Sequence, residues 1–389
     1  MNVLIIGAGV AGCATALALS RSGHRVRVCE RRTSDQTLGA GVVLWPNATF
    51  VMAQLGLLDD VRAVGRTPPA MNRYDASGAS LGGWDIGQLD RAMGFPSVAI
   101  RRADLQAILT RALERAGVLV EERRAAVAIE GQGTVEFADG SRASADLIIG
   151  ADGRMASVAR RYVLGGEQPV YQGFINWVGT ARVPRELLDN GAIRDFWGVG
   201  QRFGIVPVAA DIAYWAGAVA APTPPEGASR GDFKDELRRL FATWPSIITA
   251  VIEGSEAHAI RRLPLYDHEP VATWHRGTVL LIGDAAHAAL PTSGQGACQA
   301  LEDAWHLAAR LPSDPRDLEP ALAAFTALRL PKVRAQTFGA RQFARSLFEL
   351  DVQACKRRDE AARQADDRQT IAGIAQGWSA GLPLHAELA

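Results

Sequence analysis

The chain has 389 residues, a formal net charge of zero and 48% hydrophobic side chains, enough for a substantial core shared among two or three domain-sized units. Equal numbers of basic and acidic residues, 42 of each, argue against a nucleic-acid partner, which would be met by an excess of positive charge. Four cysteines, Cys13, Cys29, Cys298 and Cys355, follow no CxxC or metal-ligand spacing, which points to a reducing, cytoplasmic setting and to no structural metal.

The first thirty residues contain every part of a βαβ nucleotide fingerprint. An apolar strand, Val3-Leu4-Ile5-Ile6, runs into Gly7-Ala8-Gly9-Val10-Ala11-Gly12; an Ala/Leu-rich helix follows, then a strand, Val26-Arg27-Val28, ending at Glu30. Gly7 permits the tight turn, Gly9 lets a pyrophosphate approach the backbone, and Gly12 allows close helix-on-strand packing, so that phosphates rest on a helix N-terminus. Glu30 is placed to accept ribose hydroxyls. Val3 to Leu19 is apolar enough to resemble a signal-peptide core, yet no basic segment precedes it, and a strand buried on both faces reads this way. No segment is expected to span a membrane.

After Gly41-Val42-Val43-Leu44-Trp45-Pro46-Asn47 a helical stretch reaches about Val64, and Thr67 to Phe95 is Pro/Gly/Met-rich with short strand patterns. Arg101-Arg102-Ala103-Asp104-Leu105 opens a helix, followed by a hairpin-like run through Val118-Leu119-Val120, Val127-Ala128-Ile129 and Thr134-Val135-Glu136-Phe137. The strand Asp146-Leu147-Ile148-Ile149-Gly150 leads into Ala151-Asp152-Gly153. From Val170 to Ala221, β-branched and aromatic residues recurring between turns predict an antiparallel sheet, with Trp177, Phe196 and Trp197 available as an aromatic cage for a planar ligand. The strand Thr278-Val279-Leu280-Leu281-Ile282 then runs into Gly283-Asp284-Ala285-Ala286-His287, placing an acid outside the carboxyl end of a strand, where doubly wound sheets bind ligands. Pro291-Thr292-Ser293-Gly294-Gln295-Gly296-Ala297 brings backbone N–H groups to the start of a long helix, suited to an electron-rich or anionic acceptor such as a flavin ring. The expected architecture is α/β: a Rossmann-like FAD-binding domain (1–70, 100–170 and 266–335) interrupted by an antiparallel-sheet substrate domain (71–99 and 171–265), with C-terminal helices over 336–389.

Gly7-x-Gly9-x-x-Gly12, Asp152-Gly153 and Gly283-Asp284, with Pro291 and Gly294-Gln295-Gly296 spaced beyond it, resemble the p-hydroxybenzoate hydroxylase-like, single-component FAD-dependent aromatic monooxygenases along nearly the whole chain. The resemblance implies that Gly9, Ala11 and Gly12 cradle FAD and that Glu30 meets the adenosine ribose. It also implies that Arg102 reaches the phosphate and ribityl region, that Asp284 holds the ribityl chain, and that Pro291, Gly294, Gln295, Gly296 and Ala297 face the ring; Arg31 and Val43 belong to the same set. The implied chemistry is reduction of FAD by NADH or NADPH, reaction with O2 to a flavin hydroperoxide, and oxygen transfer to a small electron-rich aromatic ring. The flavin-dependent halogenases share the fold, but their Trp-x-Trp-x-Ile-Pro signature is absent.

Within the family, Gly173-Phe174-Ile175-Asn176-Trp177-x-Gly179, Arg202, Tyr214 twelve residues later, and Glu302-Asp303-Ala304 beyond Cys298 are similar to bacterial FAD-dependent urate hydroxylases. By this likeness Arg202 polarises the substrate's anionic edge, Tyr214 hydrogen-bonds to it, Trp177, Trp197, Pro291 and Thr292 complete the substrate set, and urate is the leading candidate. Two departures stand out. The serine and arginine that usually follow Asp152-Gly153 are replaced by Ala156 and Ala159, with Ser157 and Arg160 one step later; and Thr292 stands where the urate enzymes carry an aspartate, although a threonine is no comparable base. Phenolic acids, larger aromatic natural products and a reductase without oxygen insertion therefore remain alternatives. His287 and Cys298 read as loop and packing residues, and Arg341, Arg345 and Phe348 as candidates for a homodimer contact.

Overall fold

The computed structural model describes residues 1–33, 41–131, 133–188, 190–225 and 231–384. One sheet has six strands in the order His275–Arg276, Val279–Leu281, Leu147–Gly150, Asn2–Ile6, Arg25–Cys29 and Leu119–Glu121, all parallel except at the His275–Arg276 edge. Every residue of Asn2–Ile6 but the first is buried, which explains its unbroken apolar run. The helix Val10–Arg21 buries its residues from Gly12 to Leu19, so the leader-like stretch is the core of the nucleotide-binding layer. Among the described residues no helix is long and apolar enough to cross a membrane.

The expected hairpin-like run divides. Leu119–Glu121 pairs in parallel with Arg25–Cys29 at the sheet edge, and only Ala126–Glu130, Thr134–Phe137 and Arg142–Ser144 form an antiparallel meander. Local pattern marks a strand without naming its partner.

The second sheet has seven strands: Arg261–Asp267, Val170–Arg182, Ile212–Ala220, Gln201–Pro207, Ile193–Trp197, Ala70–Asp75 and Ser80–Asp85. It is antiparallel except where Ile193–Trp197 pairs in parallel with Ala70–Asp75. Side chains alternate between its faces. On one face Ile175, Trp177, Phe203, Ile205 and Trp215 pack with Leu237 and Ile248 of two covering helices, Lys234–Leu240 and Ser246–Glu253. The registers Asp195↔Arg73, Trp197↔Arg202 and Val206↔Tyr214 put Arg73, Asp195, Trp197, Arg202 and Tyr214 on the other face.

The helix Leu318–Leu347 ties the two sheets together. Its Arg329 bonds to Glu302 and Asp303 of the helix Gly296–Ala308, and its Arg341 clamps Asp267, the last residue of a strand of the large sheet. Arg341 is thus engaged internally, and Phe348 stacks on Phe174 at 4.1 Å between centroids. Phe348 is half-buried and Arg345 exposed.

Candidate active site

The three glycines of the first turn separate by what a side chain would strike. A Cβ on Gly7, at φ +107°, would lie 2.4 Å from the Ala151 carbonyl oxygen, and one on Gly12 would lie 1.9 Å from that of Gly7. Both positions are glycine for packing. A Cβ on Gly9 would meet nothing within 4 Å; it faces open space before a helix N-terminus that no side chain caps. That space belongs to a cavity of about 400 Å³ lined by Gly9, Glu30, Arg32, Arg102 and Gln106 among others.

Glu30 is fixed by the N–H groups of Ala8 (2.8 Å) and Arg32 (2.9 Å), one on each carboxylate oxygen, and each oxygen can accept a second donor. Arg101 is bound to Asp104 through two bonds of 2.6 and 2.8 Å, whereas Arg102 lines the cavity. Arg32, not the expected Arg31, lines it; Arg31 is exposed, because the chain turns as it leaves the strand. A carboxylate with acceptor sites to spare, an uncapped helix N-terminus and an arginine fit a dinucleotide such as FAD.

At the far end, Asp284 opens the single-turn helix Asp284–His287, with Arg154 Nε at 3.6 Å. A Cβ on Gly283 would lie 2.7 Å from that of Ala11, so this strand end abuts the first helix. Asp152 accepts from Ser157 Oγ (2.5 Å) and from the Val158 N–H (2.6 Å); Ser157 in turn caps the helix Val158–Leu164. Arg160 donates to the carbonyls of Ala285 and Ala286 at 2.9 and 3.2 Å. The one-residue shift therefore leaves both side chains engaged, with Asp152 organising the turn.

The turn Pro291–Ser293 and Gly294, at φ +63°, lead into the helix Gly296–Ala308. Pro291 and Gly294 are exposed; Gly296 and Ala297 are half-buried. Trp45 Nε1 lies 3.1 Å from where a Gly294 Cβ would be. Thr292 donates its hydroxyl to the Ala340 carbonyl at 2.8 Å, so it is tied to the scaffold. Cys298 is buried near the Val43 carbonyl; burial pushes its thiol up to about 12, which makes it a packing residue.

Beneath this loop lies a buried polar network that the sequence reading missed. Gln295 Oε1 accepts from Asn47 (2.8 Å) and Gln299 (3.1 Å), and Asn47 also donates to Glu302 (2.7 Å). Glu302 receives Arg329 (2.6 Å) and Lys332 (2.8 Å); Asp303 receives Arg329 (2.8 Å), His287 Nε2 (2.5 Å) and the Gly283 N–H (2.9 Å). Burial alone would raise the Asp303 carboxyl, but the neighbouring His287 and Arg329 hold it below the usual carboxylate range. Lys332 also donates to the carbonyls of Trp378 and Ala380, which joins the C-terminal helix Asp367–Ser379 to the network. Glu302-Asp303 was visible as a motif; its partners on the long helix carry no local signal.

His306 is buried beside this network, and burial followed by Arg329 and Arg310 pushes its imidazole down to about 3. The unfolded chain takes up that proton near pH 6.5 whereas the folded chain resists it. Its effect on stability is therefore absent above the unfolded pKa and grows as the pH falls toward the folded one. Melting followed by circular dichroism is expected to fall less between pH 6.5 and about pH 4 in His306→Gln than in the parent; parallel curves would contradict this.

On the large sheet, Arg202 Nε and Nη2 bond to the two oxygens of Asp195 at 2.7 and 3.1 Å, and Trp197 Nε1 donates to Asp195 at 2.8 Å. Nη1 of Arg202 has no hydrogen-bond partner among the described residues. Tyr214 packs on Gly41, where a Cβ would lie 2.3 Å from its ring, and this contact brings the sheet face to the strand Gly41–Leu44 that carries Val43. Burial raises the Tyr214 phenol against the opposing pull of Arg202. Trp177 is not on this face: it is 1% exposed in the helix-covered core. Its expected place among the substrate residues is corrected by the two-residue period of its strand, which turns it away from Arg202. Phe196 also points to the opposite face, stacked on Tyr74 at 5.0 Å. Asp195 is a functional candidate that sequence reading passed over.

An uncapped helix N-terminus beside a carboxylate on a parallel nucleotide-type sheet, with the Arg202–Tyr214 face of a second sheet packed on the strand Gly41–Leu44, is the arrangement of a FAD-dependent hydroxylase. The chain belongs to the FAD binding domain family, whose model matches residues 1–317. It is similar to the FAD-dependent urate hydroxylase of Mycolicibacterium vanbaalenii, 32% identical over 96% of this chain and 95% of that one. It is also similar to the 3-amino-4-hydroxybenzoate 2-monooxygenase of Streptomyces cremeus, 34% identical over 100% and 98%. The crystal structure of Klebsiella pneumoniae HpxO complexed with FAD and uric acid matches with a TM-score of 0.89 at 31% identity, covering 98% of this chain and 97% of that one. The protein is a FAD-dependent monooxygenase.

Proposed function

We propose that the protein hydroxylates a small, electron-rich aromatic or N-heteroaromatic ring with O2 and NADH or NADPH, and that urate is the first candidate. The observation that carries this reading is the Arg202–Tyr214 face beside the strand of Val43, in a chain similar to a hydroxylase crystallised with FAD and uric acid. Bound FAD supplies the transfer of one oxygen atom from O2 to the ring.

The chain's own residues bind and orient. In this reading Gly9, Ala11 and Gly12 with Arg102 hold the pyrophosphate, Glu30 the ribose, and Asp284 the ribityl chain, while Pro291 and Gly294 to Ala297 border the ring system. Arg202 donates from its uncommitted Nη1 to a substrate oxygen, Tyr214 adds a second donor, and Trp197 walls the site. The nucleotide-binding sheet (1–70, 100–170, 266–335) serves FAD and the large sheet (71–99, 171–265) serves the ring, with helices from 336 onward joining them; 385–389 lie outside the described residues. Four free, buried cysteines support a cytoplasmic setting.

Thr292, bonded to Ala340, favours a second reading, in which the ring is a phenolic or heteroaromatic acid that brings its own ionisation. NADH and NADPH oxidation by the FAD-loaded protein, with and without urate and with peroxide and product quantified together, separates the two. Urate hydroxylation predicts stimulated oxidation with product matching the reductant consumed. Peroxide alone, or no stimulation, overturns urate and leaves the acids.

A further inference from the structure

Three guanidinium groups approach Trp197 or its neighbour Asp195, and they differ in what holds them. Arg202 is taken by both oxygens of Asp195. Arg358, 5.4 Å from the Trp197 ring centroid, donates to Asp359 and to the carbonyls of Ser346, Leu347 and Gly198. Arg73 stands 5.6 Å from the same centroid and makes no hydrogen bond or ion pair among the described residues.

Arg73 is half-buried on the strand Ala70–Asp75, in register with Asp195 and on the face of Arg202 and Tyr214. Asp195 accepts from Arg202 Nε, Arg202 Nη2 and Trp197 Nε1 and from no atom of Arg73. Burial depresses the Arg73 guanidinium, and the more distant charges of Asp195 and Asp367 only oppose this in part. A cation drawn from water with no hydrogen-bonded anion is costly. With its plane beside an indole, its donor edge is free for a planar two-oxygen acceptor.

The position is also continuous with the flavin-facing loop. Trp45 borders Gly294 and packs on Trp84 at 5.7 Å; Trp84 pairs with Met71, and Arg73 follows two residues along the same strand. Two residues of strand advance about 7 Å, so Arg73 lies beyond Met71 at the end of this face remote from the loop.

We propose that Arg73 receives a carboxylate on the substrate ring, at the end away from the carbon that is hydroxylated, while the Arg202–Asp195 pair, neutral as a unit, donates to an uncharged ring oxygen. The substrate class is then a hydroxylated aromatic or N-heteroaromatic carboxylate, which sets the second reading of the proposed function above urate, a ring without a carboxylate, and rests on that function's reading of this face as the substrate site. Arg73 is a specificity-determining residue.

The test is calorimetric titration of the FAD-loaded full chain with 3-amino-4-hydroxybenzoate and with 2-aminophenol, the same ring without its carboxylate, in the parent, Arg73→Gln and Arg73→Lys. The parent is expected to bind the carboxylated ring about 10- to 100-fold more tightly, the range of a charge-assisted pair. Arg73→Gln removes that difference, Arg73→Lys restores part of it, and aminophenol affinity stays the same in all three, which shows the site intact. Equal binding of the two rings by the parent, binding of neither, or discrimination surviving in Arg73→Gln overturns the proposal. Ring-stimulated NAD(P)H oxidation is scored separately: discrimination without stimulation by either ring or by urate sinks the hydroxylase reading and leaves Arg73 standing, whereas stimulation without discrimination does the reverse.

Discussion

Arg329→Met is expected to lower the free energy of unfolding by about 3–5 kcal/mol, the range for removing one partner of a buried ion pair. Methionine preserves much of the volume but none of the four bonds that Arg329 donates to Glu302, Asp303 and Gln299. Both carboxylates are fully buried, so they would keep their desolvation penalty with Lys332 as the remaining ion-pair partner of Glu302 and His287 as a hydrogen-bond partner of Asp303. The consequence extends to the site, because Asp303 also accepts the Gly283 N–H and Glu302 accepts Asn47, which holds Gln295. Denaturant unfolding and FAD retention should therefore fall together in Arg329→Met, with Arg329→Lys intermediate. The exposed Arg316–Asp314 pair is the control, and Arg316→Met should be silent.

The same network sets an acid limit. Because the Asp303 carboxyl is held below its ordinary value of 3.8, its contribution is fully present above that value and is lost as the pH falls through the lower folded one. Arg329→Met removes one of the cations responsible, so its acid transition should begin at higher pH than the parent's. An unchanged melting curve in Arg329→Met would show that Lys332 and His287 compensate unaided.

What was legible in the sequence was what is local in the chain. The cradle from Gly7 to Glu30 is one βαβ unit whose glycines, helix and acid all act on neighbours within it, so spacing alone exposes the chemistry. The Gly283-Asp284 and Gly294-Gln295-Gly296 turns are local in the same way. Faces and partners were not. Trp177 reads as a strand aromatic in either orientation, and only the register against Ile212–Ala220 and Arg261–Asp267 shows which way it points. Asp195 meets Arg73 through a parallel pairing that spans more than a hundred residues, and Asp303 meets Arg329 across 26. Nothing in the composition of either segment announces such a contact. Arg31 and Arg32 differ by one position at a strand exit, below what a motif can resolve.

Substituting Gly9 and Gly12 separately should divide ligand binding from folding. Gly12→Ala places its Cβ where Gly7 O now lies at 1.9 Å, so the helix Val10–Arg21 must move away from the strand it covers. The expected result is a lower melting temperature with or without FAD, since this contact belongs to the core. Gly9→Val adds atoms where the protein has none within 4 Å of the Cβ, so the FAD-free protein should melt as the parent does. Its side chain instead fills the space before the uncapped helix N-terminus, where phosphate oxygens must come within hydrogen-bonding distance of backbone N–H groups. FAD affinity is expected to fall about 100-fold, equivalent to about 2.7 kcal/mol, as read by flavin fluorescence on release and by loss of the FAD-dependent rise in melting temperature. If Gly9→Val bound FAD like the parent, the pyrophosphate would have to lie elsewhere along the cavity, nearer Arg102. If it lowered FAD-free stability as much as Gly12→Ala, Gly9 would be a packing glycine as well, and the open space before the helix could no longer be assigned to the ligand alone.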